Sequence, residues 1–196
     1  MYKERERNMA IKNYFKHFKT VTKHRWLVFV HCKRCGIPFR GLRHDLSKYL
    51  PVEFVPSVHY FQGNRSPISA EKEDKGVSYA WQHHKGHNKH HWEYWTDFDK
   101  KGNLITYKMP YDCVVEMVCD WIAASITYNN GWDKEVFFKY YIDHMEQRKL
   151  HPETLNLVEW FLIWIDHEEL EKGFYETAKD KVLKEGYEKK GGLMGK

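Results

Sequence analysis

His44 and Asp45 stand side by side in the stretch HDLSK. An imidazole and a carboxylate in adjacent positions can both reach one ion from a single helical turn. Around them lie His24 upstream, five histidines within HHKGHNKHH at 83–91, and Asp120 downstream. Imidazole nitrogen mixed with carboxylate oxygen suits Fe, Mn, Zn or Co better than Mg or Ca. A site of that composition would do hydrolytic or oxygenase chemistry.

The chain has 13 histidines, so each has to be weighed. A lone histidine is more often structural or solvent-facing, and His17, His59, His144, His151 and His167 are read that way. His24 precedes RWLVFV and lies on a helix with an apolar face. It also precedes the HD pair by 20 residues, room for one helix, a turn and part of another. His31, two turns further on the same face, competes with it for the place. In the cluster, helical spacing puts His83 with His87, and His84 with His87 and His91, unless Gly86 and Asn88 break the helix. Trp81, Trp92, Tyr94 and Trp95 bracket the cluster and favour partial burial.

Asp112, Glu116 and Asp120 fall at i, i+4 and i+8 of one apolar helix and line one stripe. Asp112 is expected to face water. Asp120, flanked by Cys119 and Trp121, is expected to be buried, where a carboxylate needs a partner and a metal is a strong one. CKRC at 32–35 has no second CxxC or CxxH at suitable spacing, so Cys32 and Cys35 are read as packed cysteines.

The elements that must position these residues read as mostly helical. Residues 3–18 form a basic helix, and Thr20 or Thr22 caps another that runs to Cys35 and ends at Gly36 and Pro38. A short helix carries Arg40 to Tyr49 and stops before Pro51. Residues 52–62 are ambiguous around Pro56, and Ser69 caps a helix leading into the histidine cluster. Residues 93–109 read as two short strands around a turn. Pro110 opens the clearest helix, 111–129, and helices follow at 133–148, 152–171 and 174–188. The whole, residues 1–196, is expected to be one mostly α domain with a core over about 20–171 and a frayed tail at 189–196.

Composition agrees with an ordinary globular chain: 42% hydrophobic and 30% charged residues. Four cysteines in 196 residues do not make a secreted disulfide framework. The amino terminus lacks the apolar core of a signal peptide, and Trp26 to Val30 is too short to span a bilayer. A cytoplasmic protein with reduced thiols is expected. Residues 1–50 hold 13 Lys and Arg against three acids, and the rest of the chain is net acidic. A basic segment around a metal motif attracts phosphate-bearing substrates, although a solvated helix face accounts for residues 3–25 as well.

HDLSK, with His24 before it and the histidine cluster and Asp120 after it, resembles the HD-domain superfamily of metal-dependent phosphohydrolases. The order H…HD…H…H…D looks like its binuclear members, which include HD-type cyclic-nucleotide phosphodiesterases and mixed-valent di-iron oxygenases. GLRHDLSKY and AWQHHKGHNKHHWEYW are also similar to a family of bacterial and phage proteins with no assigned activity, over roughly residues 20–125. The resemblance implies a helical HD-like bundle with one or two divalent transition metals, Mn, Fe, Co or Zn. It makes His44 and Asp45 the central ligands, with Asp45 bridging where two ions bind. His24 and Asp120 complete one ion's set, and His84 with His91 hold the other. Lys48 matches a lysine that contacts substrate. The closely spaced cluster histidines and the hairpin-like segment near 93–109 depart from the common pattern.

The leading expectation is therefore a phosphohydrolase. Lys48 stabilises phosphoryl oxygens, and Glu116 orients the attacking water or a ligand histidine. The expected partner is a small phosphorylated molecule, a nucleotide first, rather than nucleic acid or a membrane. The alternatives are an HD-type di-iron oxygenase and a non-catalytic metal-binding protein.

Overall fold

Helix α1 (Tyr2–Arg34) contains no glycine or proline and runs unbroken for 33 residues. The expected break at Thr20 or Thr22 does not occur. Thr20 Oγ1 instead donates to the Lys16 carbonyl at 3.0 Å, a bond made from inside a helix. The computed structural model describes residues 2–129 and 131–185. The expected frayed tail at 189–196 lies outside the described residues.

Gly36 turns the chain at φ +83°, and Pro38 opens α2 (Pro38–Arg43). Helix α2 lies hard against α1. A Cβ on Gly41 would sit 2.7 Å from Cys32 Cβ and 2.9 Å from Phe29 Cα. Arg25 of α1 fastens the end of α2, donating from Nε to the His44 carbonyl at 2.7 Å and from Nη2 to the Leu42 carbonyl at 3.1 Å. The helix expected over 40–49 is thus broken. His44 follows its last residue, and Asp45 adopts a left-handed φ of +51° before a 3₁₀ turn, Leu46–Tyr49.

Helix α3 (Pro51–His59) keeps Pro56 inside it, and α4 (Pro67–Lys75) starts after Ser66 rather than Ser69. Gly76 (φ +74°) separates α4 from α5 (Tyr79–His87). Ser78 caps α5 by accepting from the Trp81 N–H. Helix α5 ends at His87, so His90 and His91 lie in the loop that follows. A 3₁₀ turn, Trp92–Trp95, leads into an antiparallel hairpin, β1 (Thr96–Phe98) with β2 (Leu104–Thr106), Thr96 opposite Thr106. The fold is mostly α with one short β hairpin.

Helix α6 (Tyr111–Asn129) is the central element. Val114, Val115, Met117, Val118, Cys119 and Ile122 are all buried. It packs on α1, on α8 (Pro152–Glu168) and on α7 (Lys134–Asp143), which is followed by the turn Met145–Gln147. The expected helices at 152–171 and 174–188 are α8 and α9 (Thr177–Glu185) joined by a π-helical stretch, Glu169–Glu176. Phe174, Tyr175, Ala178 and Val182 are buried with the rest. The core therefore reaches Val182 and not 171.

Candidate metal centre

Three packed segments bring the chemistry together: α1 supplies His24, the α2 terminus supplies His44 and Asp45, and α6 supplies Glu116 and Asp120. The loop after α5 adds His90 and His91, and α5 itself adds His84. His24, His44, Asp45 and Asp120 form one group whose donor atoms lie within 4.8 Å of one another. Asp45, His84, His90 and His91 form a second. Asp45 belongs to both. Its left-handed backbone turns it away from the helical path, so the HD pair reaches the centre from a turn.

The distances separate two kinds of contact. His44 Nε2 and His84 Nε2 are each 3.3 Å from Asp45 oxygens, and His90 Nε2 is 3.4 Å away. His44 Nε2 lies 3.6 Å from Asp120 Oδ1. These are long for hydrogen bonds, which cluster near 2.7–3.2 Å. They match the edges between ligands that each sit about 2.0–2.2 Å from a shared ion, roughly 3.0–3.6 Å. The outer ring nitrogens behave differently. His44 Nδ1 is 3.0 Å from Glu116 Oε1, and His84 Nδ1 is 2.8 Å from Glu53 Oε2. Each is a hydrogen bond that fixes a tautomer and aims Nε2 inward.

Five inward atoms have no hydrogen-bond partner among the described residues although they are buried: Nε2 of His44, His84, His90 and His91, and Asp45 Oδ1; Asp45 Oδ2 is buried too but pairs with Lys48. Unpaired polar atoms cost about 1–3 kcal/mol each when buried. Such a concentration in one place is hard to sustain without a shared cation, and the donor chemistry fits a transition metal. His24 Nε2 does approach Asp120 Oδ1, at 2.9 Å.

The charges are arranged for the same end. Burial works against ionised Asp45, but His44, Lys48 and His84 hold its carboxyl well below the usual range. Burial likewise opposes Asp120, and His24 and His44 hold it low. His91 is pushed far down by burial and by its neighbours His90 and His84, so it is a neutral imidazole with a free lone pair. Burial also lowers His24.

Glu116 is turned to the outer face of the histidines. Its Oε1 also lies 3.3 Å from His90 Nδ1, and Arg40 donates to its Oε2 from Nε at 2.8 Å. Of the two roles expected for Glu116, the geometry is that of a residue orienting ligand histidines; its oxygens are not aimed at the inward side. Lys48 Nζ pairs with Asp45 Oδ2 at 2.6 Å and keeps its proton, since Asp45 and Asp120 outweigh the effect of burial.

Sequence reasoning missed four participants. His90 was passed over because helical spacing favoured His84 and His91, whereas α5 ends at His87 and the loop turns both His90 and His91 inward. Glu53, a buried acid in the apolar stretch VEFV, holds both His83 (2.6 Å) and His84; its place among apolar residues was the available signal. Asp112 does not face water but pairs with Arg40 at 2.8 Å, and Arg40 thereby ties α2 to α6. His31, the rival of His24, is bonded through Nδ1 to the Tyr175 hydroxyl at 2.6 Å. Cys32, Cys35 and Cys119 are buried free thiols, with Cys35 and Cys119 sulfurs 3.9 Å apart.

The model of a family of unknown function, DUF5662, matches residues 13–163, and the chain belongs to that family. The matched span holds every residue of the centre. No curated protein and no solved structure matches the chain.

Proposed function

We propose that this chain is a metal-dependent phosphohydrolase of HD type that acts on a phosphorylated small molecule, a nucleotide first. The observation that carries the proposal is the convergence of five buried imidazole Nε2 atoms and both Asp45 oxygens, most of them without a hydrogen-bond partner among the described residues, in two groups that share Asp45. The first group would hold one divalent transition metal through His24, His44, Asp45 and Asp120. The second would hold another through Asp45, His84, His90 and His91. When bound, such metals supply a Lewis acid and a water of lowered pKa.

The chain's own residues do the rest. Glu116 and Glu53 keep His44, His90 and His84 in the tautomer that offers Nε2. Arg40 anchors Glu116 so that it cannot swing inward. Lys48 stands at the edge of the centre with three donors and a fixed positive charge, suited to the non-bridging oxygens of a phosphoryl group. We place the activity in the cytoplasm, in keeping with four free buried cysteines. No helix among the described residues is long and apolar enough to cross a membrane.

The test is a screen of nucleoside mono-, di-, tri- and cyclic phosphates with Mn, Co, Fe, Zn and Mg. Turnover that needs a transition metal and is lost in Asp45→Asn supports the proposal. Lys48→Gln should keep metal and lose rate. Two bound irons with no phosphatase activity would transfer the assignment to the oxygenase.

A further inference from the structure

We propose that Arg148, seated on Trp121 and Tyr141, binds a second anionic group of the substrate, so that the preferred substrate is a phosphoester bearing another phosphate. The inference rests on the phosphohydrolase reading for the first phosphate only.

The mouth of the centre can be located from exposure. The His44 and Asp45 side chains are 0% and 1% exposed, whereas Asp120 reaches 15% and Lys48 27%. Solvent and substrate therefore approach along the Lys48–Asp120 edge. Trp121 follows Asp120 directly on α6, half-buried at that edge. The Arg148 guanidinium lies 4.7 Å from the Trp121 ring centroid and 4.8 Å from that of Tyr141. It is held there by one hydrogen bond, Nη1 to the Tyr141 carbonyl at 2.9 Å, at the end of α7.

The remaining donors of the fork are uncommitted. Among the described residues no carboxylate lies within 4.0 Å of Arg148; burial lowers its pKa, against which Tyr140, Tyr141 and, more weakly, Glu93 favour the charged form. A half-buried guanidinium seated over two rings with no acid in salt-bridge contact is costly to keep unless something anionic arrives. The fork geometry fits two oxygens of one phosphate or carboxylate. Burial raises Tyr128, which feels both Lys48 and Asp120. Burial also raises Tyr140, which feels both Arg148 and Asp120. Through the Trp121 ring, Arg148 is seated one position along α6 from Asp120. Lys48 is already engaged with Asp45 over the centre, so Arg148 serves a different group of the same molecule.

The experiment is calorimetric titration of the Mn²⁺-loaded protein with AMP and with adenosine 3′,5′-bisphosphate. Wild type should bind the bisphosphate roughly tenfold or more tightly than AMP, the scale of one bidentate charge-assisted contact. Arg148→Gln should abolish the preference and leave AMP affinity and metal content unchanged. Arg148→Lys, which keeps a cation over the rings, guards against a folding defect and should retain part of the preference. Equal binding of the two ligands by wild type, or a preference that survives in Arg148→Gln, overturns the proposal, as does loss of metal in both variants. Binding preference without turnover would retire the hydrolase and keep the anion site. Turnover without preference would do the reverse.

Discussion

Glu53→Gln should weaken one metal group and spare the other. Glu53 touches the centre only through α5, accepting from His84 Nδ1 at 2.8 Å and His83 Nδ1 at 2.6 Å. His84 belongs to the group of Asp45, His90 and His91 and not to that of His24, His44 and Asp120. Glutamine keeps the size and one acceptor oxygen but loses the charge. A charged hydrogen bond is worth about 1.5–3 kcal/mol and a neutral one about 1 kcal/mol. The expected loss is therefore about 1–2 kcal/mol, or roughly 5- to 30-fold in affinity for one ion. That overlaps the range seen when a residue orienting a ligand histidine is removed, about 10- to 100-fold. The assay is competition of the loaded protein against a chromogenic chelator, with two dissociation constants resolved. Glu116→Gln is the contrasting variant, since Glu116 supports His44 in one group and His90 in the other. It should weaken both ions. Equal weakening of both by Glu53→Gln, or no weakening of either, would refute the division into two groups.

Two further outcomes follow from packing and burial. Gly41→Ala should destabilise the protein by about 1–3 kcal/mol, because the new methyl meets α1 at Cys32 and Phe29. Its melting temperature should fall by several degrees and its metal affinity with it, since α2 carries His44. In chelator-treated protein, stability should decline as pH falls from about 6.5 to about 4. Burial lowers His17 and His31 to about 4, so the unfolded chain takes up protons that the folded chain refuses. Each contributes at most about 3 kcal/mol. His17, packed on Phe54 and Phe61 with Nδ1 unpaired, can be replaced by Leu, which should flatten part of that pH dependence in denaturant titrations. A flat profile in the parent protein would contradict this.

Helix α6 was legible because its apolar residues recur around the whole circumference and Pro110 and Gly131 bound it. With α6 legible, the spacing of Glu116 and Asp120 one turn apart followed. The nearness of His24 to Asp120 was legible as well, because α1 carries an apolar face that had to pack. The HD pair could be picked out by adjacency but not its geometry: a left-handed aspartate between a helix and a 3₁₀ turn has no residue signature. The histidine cluster misled for a related reason. Helical phase holds only while the helix lasts, and Asn88 ends α5 by donating its side chain to the His84 carbonyl at 2.8 Å and to Ser47 at 2.9 Å. The contact with Ser47 is tertiary, and so are the pairings of Arg40 with Asp112 and of Glu53 with His83. Local pattern contains no information about partners that lie dozens of residues apart.

The central claim is that two ions share Asp45. Asp45→Asn is the decisive variant, because asparagine tolerates the φ of +51° that alanine would strain, and only the charge is lost. Metal content per chain should be measured by elemental analysis after loading with Mn²⁺ and gel filtration. The account predicts two ions per chain in the wild type and loss of both in Asp45→Asn with helicity intact. A wild type that retains no ion, or an Asp45→Asn protein that retains two, would contradict it.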